Sequence, residues 1–292
     1  MSNPFKNGTY NDAEDNLLLD ESIAGDITAL DQLIKKHQPF IYNVALRMVN
    51  SSDDAWDITQ EVLIKVITNL ASFKRKSSFR TWLYRIVINH FFSMKKRGNE
   101  LTMSTLDALG NNLAQIPDHD YDTLELQEKA TQIEEMKVRC TTGMLVCLTR
   151  DQRLAYILGE VFEADHNIGA TIMDITPNNF RVKLSRARKD LHHFINDKCG
   201  LINKKNPCRC RKKTKFAIDN GFINPDKPAF ILANQQKVRD VVEPISLRLE
   251  VYVEEKYQQI YHDQPFHNTN DKSDFLTALL KDPEMKAVLQ QF

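Results

Sequence analysis

Apolar side chains recur three and four residues apart through most of the chain between residues 27 and 195, the spacing of helices that each bury one face. Ile27, Leu30, Leu33 and Ile34 form the first stripe. A second helix is predicted from about Ile41 to Val49, where Asn50-Ser51-Ser52-Asp53 stops it and caps the next. That next helix, Asp54 to Leu70, carries Ile58, Val62, Val66 and Leu70 on one side. A short basic stretch, Phe73 to Ser78, leads into a helix from Phe79 to about Arg97. The period then lapses, resumes near Leu126 and holds to Ile195. The predicted fold is all-α: two small helical domains at 23–98 and 128–197, joined by an acidic linker at 99–127 that contains Pro117. Residues 1–22 read as an acidic, poorly ordered tail. Residues 198–292 read as a largely helical extension with helical patterning around 235–261 and 273–291.

Composition supports this outline. Nine Gly and ten Pro are few for 292 residues, which disfavours a turn-rich sheet protein. The longest apolar runs, such as Ile86-Val87-Ile88, fall far short of the ~18 residues that span a bilayer, so no membrane insertion is expected. The polar start MSNPFKNGTYNDAEDN lacks a secretory pattern, and the expected location is cytoplasmic. There Cys140, Cys147, Cys199, Cys208 and Cys210 stay reduced; Cys140 and Cys147, seven apart on one helix, are expected to pack as small apolar groups.

Net charge is zero, with 39 basic and 39 acidic residues, but the signs are segregated. Residues 72–97 hold eight Lys/Arg and no acid, and residues 181–189 hold five more. Such blocks point to separate basic surfaces facing nucleic acid.

Residues 149–195 add a motif. Thr149 and Gln152 have the spacing of a capping box, and Leu154, Ile157, Leu158 and Val161 follow. A short helix near Asn167–Met173 precedes Asp174-Ile175-Thr176-Pro177, where Thr caps and Pro begins a new helix. Phe180, Leu184, Ala187 and Leu191 stripe that helix, and polar and basic residues occupy its other sides. This is the layout of a helix-turn-helix, whose second helix enters the major groove. Arg reads guanine, Asn reads adenine, and further Lys and Arg hold phosphates. Upstream, Phe73 to Arg97 interleaves Phe79, Trp82, Tyr84, Phe91 and Phe92 with basic residues, a combination suited to stacking and tracking single-stranded DNA.

After Ile195 come Cys199, Cys208-Arg209-Cys210 and a Lys/Arg run to Lys215. His193, Cys199, Cys208 and Cys210 are candidate ligands for zinc or another soft metal, in a spacing that matches no standard zinc module. No other cofactor is required. Among enzyme signatures, the sequence has no Gly-rich phosphate loop or nucleophile elbow, and no enzymatic activity is expected.

The segment Asp54-Ala-Trp-Asp-Ile-Thr-Gln-Glu-Val-Leu-Ile-Lys-Val, followed by Ser77-Ser-Phe-Arg-Thr-Trp-Leu-Tyr-Arg-Ile-Val-Ile-Asn89, closely resembles the second conserved region of sigma-70 family factors of the extracytoplasmic-function type. Residues 148–195, ending Leu184-Ser-Arg-Ala-Arg-Lys-Asp-Leu191, resemble that family's fourth region. The resemblance implies an alternative sigma factor that binds core RNA polymerase, recognises −35 and −10 promoter elements and promotes melting. It assigns Asp57, Gln60 and Glu61 to polymerase docking. It assigns Lys74, Arg75, Lys76, Ser77, Arg80, Trp82, Arg85 and Asn89 to the melted −10 strand, and Asn178, Asn179, Arg181, Ser185, Arg186 and Arg188 to the −35 duplex. An anti-sigma factor is a further implied partner. The family usually has Ile-Ala before the turn and Gly within it; here Gly169-Ala170 and Asp174 stand instead, and Gly169 is expected to loosen the motif by ~1 kcal/mol relative to Ala. The competing reading is a stand-alone helix-turn-helix regulator with a metal-sensing tail, for which the Thr-Gln-Glu helix and the Trp-bearing segment have no use.

Overall fold

The computed structural model describes residue 5 and residues 12–97, 100–101, 105–226 and 261. Everything regular among them is helical; the one β pairing among the described residues is an isolated bridge between Cys199 and Cys208. The patterning around 235–261 and 273–291 lies outside the described residues, Tyr261 excepted.

The acidic tail is a helix, α1 (Asp12–Ile23), where it is described. Leu19 is fully buried, and Asp15 is buried with it. Lys36 lies 2.7 Å and His37 2.8 Å from the Asp15 carboxylate. Burial alone raises that carboxyl, but its bonds to His37 and Lys36 win and hold it below the usual range. The predicted break before Ile41 is also absent: α2 (Ile27–Val49) runs through Pro39. Proline costs a helix interior ~3 kcal/mol. Here residues 37–49 are buried without interruption, and packing on all sides outweighs that loss.

Ser51 caps α3 (Ser52–Thr68), a 3-10 turn spans Leu70–Ser72, and Ser78 caps α4 (Phe79–Ser93). The linker carries two helices. Thr105 caps α5 (Leu106–Gln115), whose Leu106, Leu109 and Leu113 rest on the core, and Asp122 with Glu125 boxes α6 (Thr123–Glu128). Then follow α7 (Ala130–Val146), α8 (Arg150–Tyr156), a π turn at Ile157–Val161, α9 (His166–Met173), α10 (Pro177–Lys198) and α11 (Cys210–Asp219).

The two helical units meet in one continuous buried cluster, with α4 against α9 and α2 against α7. A polar knot lies between them. Glu100 is buried, and Arg150 reaches it through Nε at 3.1 Å and Nη2 at 2.7 Å, with Arg153 Nη1 at 2.8 Å. Arg150 also donates to the carbonyls of Phe91 (2.6 Å) and Met94 (2.8 Å). This capture accompanies the end of α4 at Ser93, four residues before the predicted stop, with Met94 extended. Arg153 donates to Val146 O (2.6 Å), Leu148 O (3.0 Å) and, across the unit boundary, Met48 O. Burial works against the Glu100 charge, but hydrogen bonding from Arg150 and the charge of Arg153 hold its carboxyl below the usual range.

Gly169, read as a loosening of the helix-turn-helix, stands at a close helix–helix approach. A Cβ there would lie 2.5 Å from Cζ of Phe180, a fully buried ring. The glycine lets α10 seat its first apolar residue directly on α9.

Two stability predictions arise. Glu100→Gln removes the countercharge of a buried arginine and should lower unfolding free energy by about 3 kcal/mol in urea titration. Gly169→Ala should also destabilise, by about 1–3 kcal/mol from overpacking despite alanine's better helix propensity. A more stable Gly169→Ala protein would contradict the close seating.

Candidate nucleic-acid interface

The turn before α10 is built from the residues its sequence singles out. Asp174 sits in the left-handed region at φ 57°, ψ 42°, which Asp tolerates better than most side chains. Thr176 accepts a hydrogen bond from Asn179 N at 3.2 Å, and Pro177 opens the helix. Phe180, Leu184, Ala187 and Leu191 are all buried, so the remaining faces of α10 point outward. Asn178, Asn179, Arg181, Ser185 and Arg186 are exposed there; Arg181 contacts His166 of α9.

Arg188 has a different task. Its Nε lies 2.7 Å from Oε1 of Glu160, which is buried in the π turn. The guanidinium is the countercharge of that carboxylate, so its assignment to DNA alone is incomplete. Periodicity cannot show this, because it places Arg188 beside the polar face without revealing Glu160 beneath.

The second surface is the loop before α4 and the helix itself. Lys74, Arg75 and Lys76 are exposed, and Ser77 is half-buried before Ser78 caps the helix. Arg75 has φ 55° and pairs with Asp20 of α1. Arg80 lies 5.5 Å from the Phe5 ring. Trp82 is partly buried, tilted against Phe73 and Phe79 at 5.2 and 5.6 Å, which fixes one face of the indole. Arg85 Nη2 lies 2.7 Å from Asp174 Oδ1, so a residue of the α4 surface touches the turn of the helix-turn-helix. Asn89 is exposed.

The third surface is on α3. Asp57 is exposed, Gln60 and Glu61 half-buried, at i, i+3 and i+4. Glu61 is held by Arg97, with Nη1 to Oε1 at 2.7 Å and Nη2 to Oε2 at 3.2 Å. Next to it, the buried His90 has Nδ1 2.8 Å from Lys65 Nζ. Burial first, then the charge of Lys65, push the imidazole down to about 4 against the pull of Glu61, so His90 is neutral at neutral pH.

The sequence reading missed how acids pair with these basic surfaces: Asp20 with Arg75, Glu160 with Arg188, and Asp174, seen only as a turn residue, with Arg85. It also missed Glu100 and its two arginines, for which the i, i+3 spacing of Arg150 and Arg153 was the available signal. His193 stands exposed on α10, away from the Cys199–Cys208 bridge, and among the described residues no three His, Cys, Asp or Glu side chains converge as metal ligands. Cys140 is half-buried and packs against the core, as a small apolar group does. No helix of the described residues is long and apolar enough to cross a membrane.

The family model described as Sigma-70 region 2 matches residues 33–100. The chain is similar to the ECF RNA polymerase sigma-E factor of Escherichia coli strain K12, 30% identical over 189 residues, covering 62% of this chain and 94% of that protein. It is also similar to the RNA polymerase sigma-H factor of Pseudomonas aeruginosa, 29% identical over 180 residues, covering 60% of this chain and 91% of the relative. Among solved structures, CnrH in complex with the cytosolic domain of CnrY aligns with a TM-score of 0.42 at 18% identity, over 63% of this chain and 97% of that one.

His90 makes stability depend on pH. Its folded pKa, about 4, lies below the ~6.5 of an unfolded histidine. Protonation therefore favours unfolding: the contribution is full above ~6.5 and drains away as pH falls toward about 4. Melting temperatures across this window should fall less steeply for His90→Gln than for the parent. Parallel curves would remove His90 as the cause.

Proposed function

The chain belongs to the sigma-70 family, in its extracytoplasmic-function branch, and on that premise we propose that it binds core RNA polymerase, recognises −35 and −10 promoter elements and helps open the DNA between them. The observation that carries this reading is the exposed N-terminal half of α10, with Asn178, Asn179, Ser185 and Arg186 facing outward from a capped helix start. Those are the side chains and the helix end that reach base edges in a major groove. The loop Lys74–Ser77 and the partly exposed Trp82 suit the displaced −10 strand, by phosphate attraction and by stacking. Asp57, with Gln60 and Glu61 beside it, is the polymerase-facing patch, and an anti-sigma factor is a natural competitor for such surfaces.

The arrangement described is a closed one. Elements centred near −10 and −35 lie about 25 base pairs apart, roughly 85 Å along B-form DNA at ~3.4 Å per step. Here Arg85 of α4 and Asp174 before α10 are 2.7 Å apart. The two DNA-facing helices cannot engage both elements while they touch, so promoter engagement requires α9 and α10 to leave α4. The Arg85–Asp174 pair is largely exposed and contributes about 0–1 kcal/mol. The knot at Glu100 is the stronger latch.

Run-off transcription with core polymerase, on fragmented genomic DNA from the source organism, tests the function directly. Protein-dependent, discrete start sites support it; a competent core that gains none would overturn it. Arg186→Ala should weaken −35 recognition by about 1–3 kcal/mol and leave polymerase binding unchanged. Asp57→Lys should reduce polymerase binding at least tenfold (~1.4 kcal/mol) without lowering the melting temperature.

A further inference from the structure

Helix α10 rests on the π turn at Ile157–Val161 through two successive residues of that turn. The turn closes with Phe162 N donating to Ile157 O at 3.0 Å, an i→i+5 bond that takes in one residue more than an α turn. Gly159 lies under Leu184: a Cβ there would stand 2.7 Å from Leu184 Cδ2. Glu160 lies under Arg188, one turn further along α10. Along the same seam Gln152 of α8 donates to Asp190 at 3.1 Å, and Asp151 pairs with Lys183. Of the three acids on this seam only Glu160 is buried, with 3% of its side chain exposed.

The grip on Arg188 is one-sided. Nε, at 2.7 Å, and Nη2 both donate to the same oxygen, Oε1, so one edge of the guanidinium is turned inward. Among the described residues no acceptor bonds Nη1, and 35% of the side chain is exposed. Arg188 follows Arg181 and Ser185, both exposed, at i, i+4 and i+7 on α10. It stands roughly 16 Å along the helix axis from Pro177. The first residues of such a helix read base edges, and basic residues further along hold phosphates. An arginine free on a helix flank samples many rotamers and loses that entropy when a phosphate orders it. Glu160 has already ordered this one, and the planar fork leaves its second edge with a fixed direction.

We propose that Glu160 is a positioning residue for DNA binding: it holds Arg188 so that the Nη1 edge meets a backbone phosphate of the duplex seated against α10. The inference rests on the reading of α10 as the DNA-facing helix, and it names the buried residue through which one contact of that helix is set. Arg188 then serves two anions at once, the carboxylate beneath it and the phosphate outside.

The test measures binding of the full chain to a short duplex of arbitrary sequence by fluorescence anisotropy across a range of salt concentrations, with the melting temperature of each variant recorded alongside. Arg188→Ala should lower the slope of log affinity against log salt by about 0.9, the value of one phosphate contact. Glu160→Gln keeps the shape and leaves the arginine in place. It should weaken binding roughly 2–10-fold, the cost of ordering one released side chain. In the Arg188→Ala background the same substitution should change nothing. Equal loss in both backgrounds would mean that Glu160 acts only through the packing of α10, and would overturn the proposal. An unchanged salt slope in Arg188→Ala, or a parent that binds no duplex at low salt, would overturn it too. Should Glu160→Gln fail to fold, Arg188→Lys decides: a compact ammonium drawn onto Glu160 has no second edge, so its slope should fall as in Arg188→Ala, and the parental slope would overturn the assignment. The outcome is separable from sigma activity, since it requires duplex binding by α10 and no polymerase.

Discussion

The structure depends on how one buried carboxylate is shared. Glu100 lies between the two helical units, and Arg150 and Arg153, from the first turn of α8, both bind it. The same arginines take up carbonyls at the ends of α2 and α4 and before α8: Met48, Phe91, Met94, Val146 and Leu148. Helix ends leave carbonyls that need donors, and two guanidiniums supply several at once. Because these donors come from one unit and many of the acceptors from the other, satisfying the helix ends and docking the units are one event.

Charge compensation is local as well. The two surfaces proposed to face nucleic acid should carry excess positive charge. Here acids stand opposite the basic residues of those surfaces: Asp20 by Arg75, Asp174 by Arg85, Glu160 by Arg188. In the closed form these charges are internally compensated. Opening would expose the Arg85 partner pair to exchange with phosphate, whereas Arg188 would remain committed to a buried acid.

Much of this was legible in the sequence, and the failures share a cause. The all-α class, the helix-turn-helix with its Thr176 cap and Pro177 start, the left-handed Asp174 and the apolar stripe of α10 are local patterns, and local patterns survive folding. What the pattern missed was decided by distant residues. The pattern gives two helices between Ile27 and Val49 until burial on every side keeps α2 whole through Pro39. Residues 12–22 read as solvated until His37 and Lys36 capture Asp15. Gly169 reads as a weak point until the Phe180 ring occupies the space a side chain would need. For the candidate interface residues, exposure on α10 was legible, but which of them an acid already holds was not.

Tyr261 extends the same dependence into time. It is fully buried, its ring 5.0 Å from that of Tyr156, and its hydroxyl 3.8 Å from the sulfur of Met144. A core begun at residues 144–156 is therefore finished by a side chain synthesised more than a hundred residues later. The ribosome completes α10 first, and at ~5–20 residues per second roughly 3–13 s separate Lys198 from Tyr261. During every round of translation α10 exists before the residue that completes the core at Tyr156, so the nascent chain passes through a form that lacks the Tyr261 ring.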